Sequence, residues 1–75
     1  GPPAVDALMQ ALKSERFHVR ENAVKALGRI GDPRAIPALE AVRNDRRGGI
    51  VQRAADEAIQ EIRKKAGTGN QGAVP

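Results

Sequence analysis

Few side chains in this 75-residue chain are of kinds that could carry chemistry. Ser14 and Thr68 are its only hydroxyls and His18 its only imidazole. A hydroxyl nucleophile needs a base within hydrogen-bond reach and a third group to orient that base. Ser14 falls in a break between helices and Thr68 in an aperiodic tail. No Ser, Cys or Asp stands at a spacing from His18 that would orient it, so His18 reads as a partly exposed residue in a first helical turn. Asp56, Glu57 and Glu61 lie beside Arg53 and Arg63, which fits a solvated helix surface better than a general acid and base. Gly48-Gly49 lacks the spacing and the Lys-Ser/Thr ending of a phosphate loop. With no cysteine and one histidine, the chain lacks the ligands of an ordinary zinc site. The expectation is a chain that is not an enzyme and holds neither cofactor nor metal.

Binding is the remaining class, and composition narrows it. Thirteen Lys and Arg against nine Asp and Glu give a net charge of +4 and an isoelectric point near 10.4, which keeps nucleic acid open as a partner. One Phe and no Trp or Tyr leave no aromatic platform for stacking unpaired bases. No apolar run approaches the roughly 18 residues needed to span a bilayer, and no secretory leader is visible. No membrane role is expected, and with no cysteine the setting is read as cytoplasmic. A single domain of this size draws only about 3–5 kcal/mol from its core.

The elements that must position any binding residues are helices. Val19, Ala23, Ala26, Leu27 and Ile30 recur along one face of a 3.6-residue period. Val51, Ala55, Ala58, Ile59 and Ile62 repeat that pattern 32 residues later. Val5, Leu8 and Leu12 mark a shorter helix, matched 31 residues on by Ile36, Leu39 and Arg43's neighbour Val42. Self-similarity at a fixed period across most of a chain signals a stacked repeat.

Breaks fall where the periodicity stops. Gly31 suits the left-handed position after a helix, Asp32 the N-cap of the next, and Pro33 its first turn. Pro37 should tighten or bend that turn. Ser14-Glu15-Arg16 and Asn44 to Gly49 are the other breaks. Helices are predicted over 3–13, 17–30, 33–43 and 50–65, grouped as repeat 1 (3–32) and repeat 2 (33–65). Residues 66–75 are expected to be a disordered tail, and Gly1-Pro2 reads as a remnant of tag cleavage.

His18-Val19-Arg20, then Ala23, Ala26-Leu27-Gly28 and Ile30-Gly31-Asp32-Pro33-Arg34-Ala35-Ile36-Pro37-Ala38-Leu39 resemble the short HEAT-like repeat of the phycobilisome-lyase type. The resemblance covers residues 4–63. It implies an all-α fold of two stacked antiparallel helix pairs, a fragment of a right-handed α-solenoid whose second helices line a binding surface. It further implies that Arg20, Asp32, Pro33 and Arg34 are structural, linking neighbouring repeats. Repeat 2 departs from the pattern at Gln52 and Gln60, and no Gly-Asp-Pro-Arg follows Ile62. It therefore resembles the terminal repeat of an array.

On helix 17–30 the side opposite the apolar stripe presents Glu21, Lys25 and Gly28, flanked by Val24 and Arg29; on helix 50–65 it presents Arg53, Glu57 and Gln60, flanked by Asp56 and Glu61. Placed side by side, Glu21 meets Arg53, Lys25 meets Glu57, and Arg29 meets Glu61. A face that neutralises itself is a poor phosphate trap, so these residues form the expected protein-binding face, with Val24 its aliphatic anchor. The excess positive charge collects at the breaks, where Arg16, His18, Arg43, Arg46 and Arg47 form a candidate anion edge. The first expectation is thus a non-catalytic scaffold for protein–protein contact. Nucleic-acid binding through the basic edge is the alternative, and the terminal domain of a larger enzyme, such as a zinc aminopeptidase, is a third. Two repeats also leave outer helix faces uncovered, so weak self-association through the ends is expected.

Overall fold

The computed structural model describes residues 3–68; Gly1-Pro2 and residues 69–75 of the expected tail lie outside the described residues. Four helices follow one another: α1 (Pro3–Ala11), α2 (Phe17–Ile30), α3 (Ile36–Arg43) and α4 (Gly49–Arg63). α1 and α2 form the first helix pair and α3 and α4 the second, stacked so that α1 and α3 make one layer and α2 and α4 the other. The most extensive packing joins α2 to α4. No strand occurs among the described residues.

The helix boundaries have local causes. α2 stops at Gly31, whose φ of 79° is open to glycine, and the Gly31 N–H donates to the Leu27 carbonyl. Asp32 then accepts from the Arg34 backbone N–H at 2.9 Å. The helix predicted over 33–43 is divided: Pro33–Ala35 is a tighter 3₁₀ turn, and α3 proper starts at Ile36 with Pro37 in its first turn. The missing N–H of Pro37 falls where no intrahelical acceptor exists, so the proline costs little there. α1 closes two residues before its predicted end, in bonds from Lys13 N–H to the Gln10 carbonyl and Ser14 N–H to the Ala11 carbonyl. After Arg63 a wider closing turn runs through Lys64–Thr68, with Gly67 at φ 82°.

The core lies between the layers, with Leu27, Leu39, Ile59 and Ile62 among its fully buried side chains. The apolar stripe predicted for α4 is buried throughout: Val51, Ala55, Ala58, Ile59 and Ile62. The one predicted for α2 is not. Its buried residues are Arg20, Ala23, Val24, Leu27 and Gly28, a face turned by about a quarter turn at 100° per residue. The reason is the number of neighbours. α2 buries one side against α1 and another against α4, whereas Val19 and Ile30 point away from repeat 2 and stay 37% and 46% exposed. Their counterparts Val51 and Ile62 face repeat 1 and are 3% and 0% exposed.

Candidate binding face

The second helices of the two pairs lie side by side, and small residues set their separation. A Cβ added to Gly28 would come within 3.1 Å of the Ala58 Cβ and 3.2 Å of its Cα. The close approach leaves a trough of about 210 Å3 between α2 and α4. Gly28, Ala54 and Ala58 form its floor; Lys25 and Arg29 rise on one wall, Glu57 and Glu61 on the other, and Lys65 closes the end. Toward the N-termini of both helices the trough widens past Glu21, Ile50 and Arg53.

Its charges are arranged as expected but not paired as expected. Among the described residues no ion pair crosses the trough; Lys25 turns instead to Glu21 one turn back on α2, at 3.3 Å. A cross-trough pair would have to bridge the open floor, while an i, i+4 partner lies within ordinary reach. Lys25 and Arg29 therefore face Glu57 and Glu61 as two rails of opposite sign.

Three residues of the expected face lie elsewhere. Val24, read as its aliphatic anchor, is fully buried. Asp56 and Gln60 sit on the side of α4 remote from α2: Arg43 approaches Asp56 at 3.7 Å, and the Gln60 amide donates to Asp56 at 3.0 Å. Val24 leaves with the quarter-turn of the buried face of α2, whereas Asp56 and Gln60 leave because α2 lies along only the opposite flank of α4, the one carrying Ala54, Glu57 and Glu61. Lys65, which follows the end of α4, donates to the Arg29 carbonyl at 2.6 Å and caps the end of α2 instead of its own helix. A lysine near a helix C-terminus was the available signal; which helix it would cap depended on the stacking.

The basic edge is partly neutralised. Arg47 grips Asp45 through Nε and Nη2, the latter at 2.7 Å, and the Asp45 side chain also accepts from the Arg47 backbone N–H. The Arg47 guanidinium holds the Asp45 carboxyl below its ordinary range, and the Arg47 pKa is raised in turn. Arg43 is drawn to Asp56, and the His18 ring stacks on Phe17 with centroids 4.0 Å apart. Arg16 and Arg46 remain exposed. α4 starts at Gly49 with no side-chain cap.

The residues read as structural act over short stretches of sequence, and the Asp32–Arg34 pair spans the boundary between the repeats. Arg20, only 4% exposed, donates to the Ser14 carbonyl at 2.9 Å and ties α2 to the break before it. Arg34 closes on Asp32 at 3.1 Å. The Arg34 backbone N–H, and then its side chain, hold the Asp32 carboxyl below its ordinary range. Pro33 starts the turn that this pair caps. Among the described residues, no three His, Asp or Glu side chains converge as a metal site would require, and no helix is long and apolar enough to cross a membrane.

Comparison with known proteins agrees with this architecture. The profile described as HEAT repeats matches residues 1–60. The phycocyanobilin lyase subunit alpha of Microchaete diplosiphon is 44% identical over 45 residues, 51% of this chain and 15% of that protein. Its counterpart from Picosynechococcus sp. is 46% identical over 39 residues, 52% of this chain and 15% of that protein. The similarity thus spans about one seventh of the length of these relatives.

Proposed function

Since the chain belongs to the HEAT-repeat family, with helix pairs stacked as a repeat scaffold, we propose that it is a non-catalytic module that binds a protein segment in the trough between α2 and α4. The observation that supports this is the trough itself: a small-residue floor between a cationic and an anionic rail that are not joined to each other. A polypeptide can satisfy both rails at once with side chains of both signs, and the floor of Gly28, Ala54 and Ala58 admits its backbone closely. Polyphosphate would meet Glu57 and Glu61 as readily as Lys25 and Arg29, so nucleic acid is the poorer fit. The relatives' names attach a lyase activity to much longer proteins; the part shared here is the scaffold.

A selection from a peptide library displayed on phage tests the reading, with a random-sequence DNA duplex as the competing probe. Enriched peptides should lose binding on Arg29→Glu or Glu61→Arg and keep it on Arg46→Glu. Failure to enrich any peptide, together with amide shifts at Arg16–His18 and Arg43–Gly49 on adding DNA that vanish as salt is raised, would overturn it in favour of the basic edge.

A further inference from the structure

The two repeats share a docking mode, and their equivalence shows which outer face could use it. Repeat 1 offers repeat 2 a surface carrying Met9 and Leu12 from α1 and Val24 and Gly28 from α2. At the offsets of 31 and 32 residues, the same places on the far side of repeat 2 are held by Glu40, Arg43, Asp56 and Gln60. Each of these four apolar or small residues is thus replaced by a charged or amide side chain. The replacements also engage one another, through Arg43–Asp56 and Gln60–Asp56. Arg63, which stands where repeat 1 has Gly31, reaches Glu40 at 3.7 Å.

The opposite end keeps the apolar pattern. Ala4, Leu8, Val19 and Ile30 are the counterparts of Ala35, Leu39, Val51 and Ile62, all of them buried in repeat 2. In repeat 1 Ala4, Val19 and Ile30 are exposed and Leu8 is only partly covered. Among the described residues, nothing covers the apolar end of the stack; the other end is closed by polar groups that a docking helix pair would have to strip of water.

We propose that Glu40, Arg43, Asp56 and Gln60 terminate the stack. A further helix pair can then dock only at the N-terminal face, and its own docking surface must be apolar and small, like the Met9, Leu12, Val24 and Gly28 surface of repeat 1. The same four residues prevent copies of this chain from joining head to tail, an arrangement that would not close and would grow without limit. This inference is independent of the trough, because it rests on the junction between the repeats.

Two sets of variants of the full chain test it. In Glu40→Met/Arg43→Leu/Asp56→Val/Gln60→Gly, sedimentation should show oligomers that lengthen with concentration. Adding Val19→Glu and Ile30→Glu should return the chain to monomer. A folded, cooperatively melting quadruple variant that stays monomeric at about 1 mM, an ample concentration for even a weak contact, would overturn the proposal. So would head-to-tail growth of the unsubstituted chain. Should the quadruple variant not fold, insertion decides. A second copy of residues 3–32 placed before Pro3 should raise Tm by about 5 °C or more, and the same copy placed after Arg63 should move it by less than about 2 °C. Equal shifts from the two insertions would overturn the assignment.

Discussion

Gly28 of α2 lies against Ala58 of α4 so closely that a methyl group on Gly28 would sit 3.1 Å from the Ala58 Cβ. Contact at that distance sets the separation of the two helices, and with it the width of the trough. Two effects oppose each other in Gly28→Ala. Alanine favours the helix by about 0.8–1 kcal/mol, while the contact forces the helices apart by a few tenths of an ångström. The expected net change is within about 1 kcal/mol. Gly28→Leu has no such compensation and should cost about 1–3 kcal/mol through overpacking. Urea denaturation midpoints separate the two, and a Leu variant as stable as the Ala variant would show that the helices are not held by this contact.

Asp32 should give the chain an acid-sensitive component of stability. Its carboxyl is held below 3.8, first by the Arg34 backbone N–H. The unfolded chain therefore binds the proton more readily than the folded one. The contribution is present above the ordinary carboxyl value and is lost as pH falls through the lower folded value. Asp45, held down first by the Arg47 side chain, adds a change of the same sign in the same window. Asp32→Ala should lower Tm by a few degrees, because it removes the acceptor that caps the turn after α2. Asp32→Asn should keep most of the cap but make stability fall less steeply below pH 4. An unchanged acid limit in the Asn variant would remove Asp32 from the account.

These caps were legible in the sequence because they are local. Gly31, Asp32 and Pro33 act within a few residues of themselves, and the structure places the helix end and the turn where their chemistry requires. The apolar stripe of α4 was legible for a related reason, since its pattern faces a neighbour that is present. The stripe of α2 misled because the same pattern, in Val19 and Ile30, faces a side with no neighbour among the described residues, so burial passed to Val24 and Gly28. Val24 thereby left the candidate binding face; Asp56 and Gln60 left it for a different reason, because α2 lies along only one flank of α4 and they stand on the other. Periodicity locates the apolar side of a helix but does not say how many neighbours cover it. Lys25, Arg29 and Glu57 line the trough, while their pairing depended on a separation that only the packed helices determine.

Lys65 joins the closing turn to α2 across 36 positions of sequence. Its ammonium donates to the Arg29 carbonyl at 2.6 Å, and its stem lies against Gly31, with Cδ 2.9 Å from where a Cβ there would be. Lys65→Met keeps the stem and removes the donor, so it should cost about 0.5–1.5 kcal/mol, the net worth of one hydrogen bond. Lys65→Ala removes both and should cost more. Amide exchange should quicken first at the last turn of α2, near Gly31. Loss confined to residues after Arg63 would mean that Lys65 steadies its own turn and not α2.

Val24 and Val19 stand five residues apart on one helix, and the same substitution at each distinguishes the two possible orientations of α2. If the apolar stripe alone set the buried face, Val19 would be inside and Val24 outside. The structure has Val24 at 0% exposure and Val19 at 37%. Val24→Asp therefore places a carboxylate in the core with no partner, a change whose cost for a buried charge exceeds about 3 kcal/mol. A chain of this size holds only about 3–5 kcal/mol in its core, so the variant should be largely unfolded by circular dichroism at neutral pH. Val19→Asp changes a side chain that is already 37% exposed, and surface changes of that kind usually stay within about 0.5 kcal/mol. The reverse order, with the Val19 variant unfolded and the Val24 variant intact, would return α2 to the orientation its hydrophobic period suggests. It would also bring Val24 back to the trough as its aliphatic anchor.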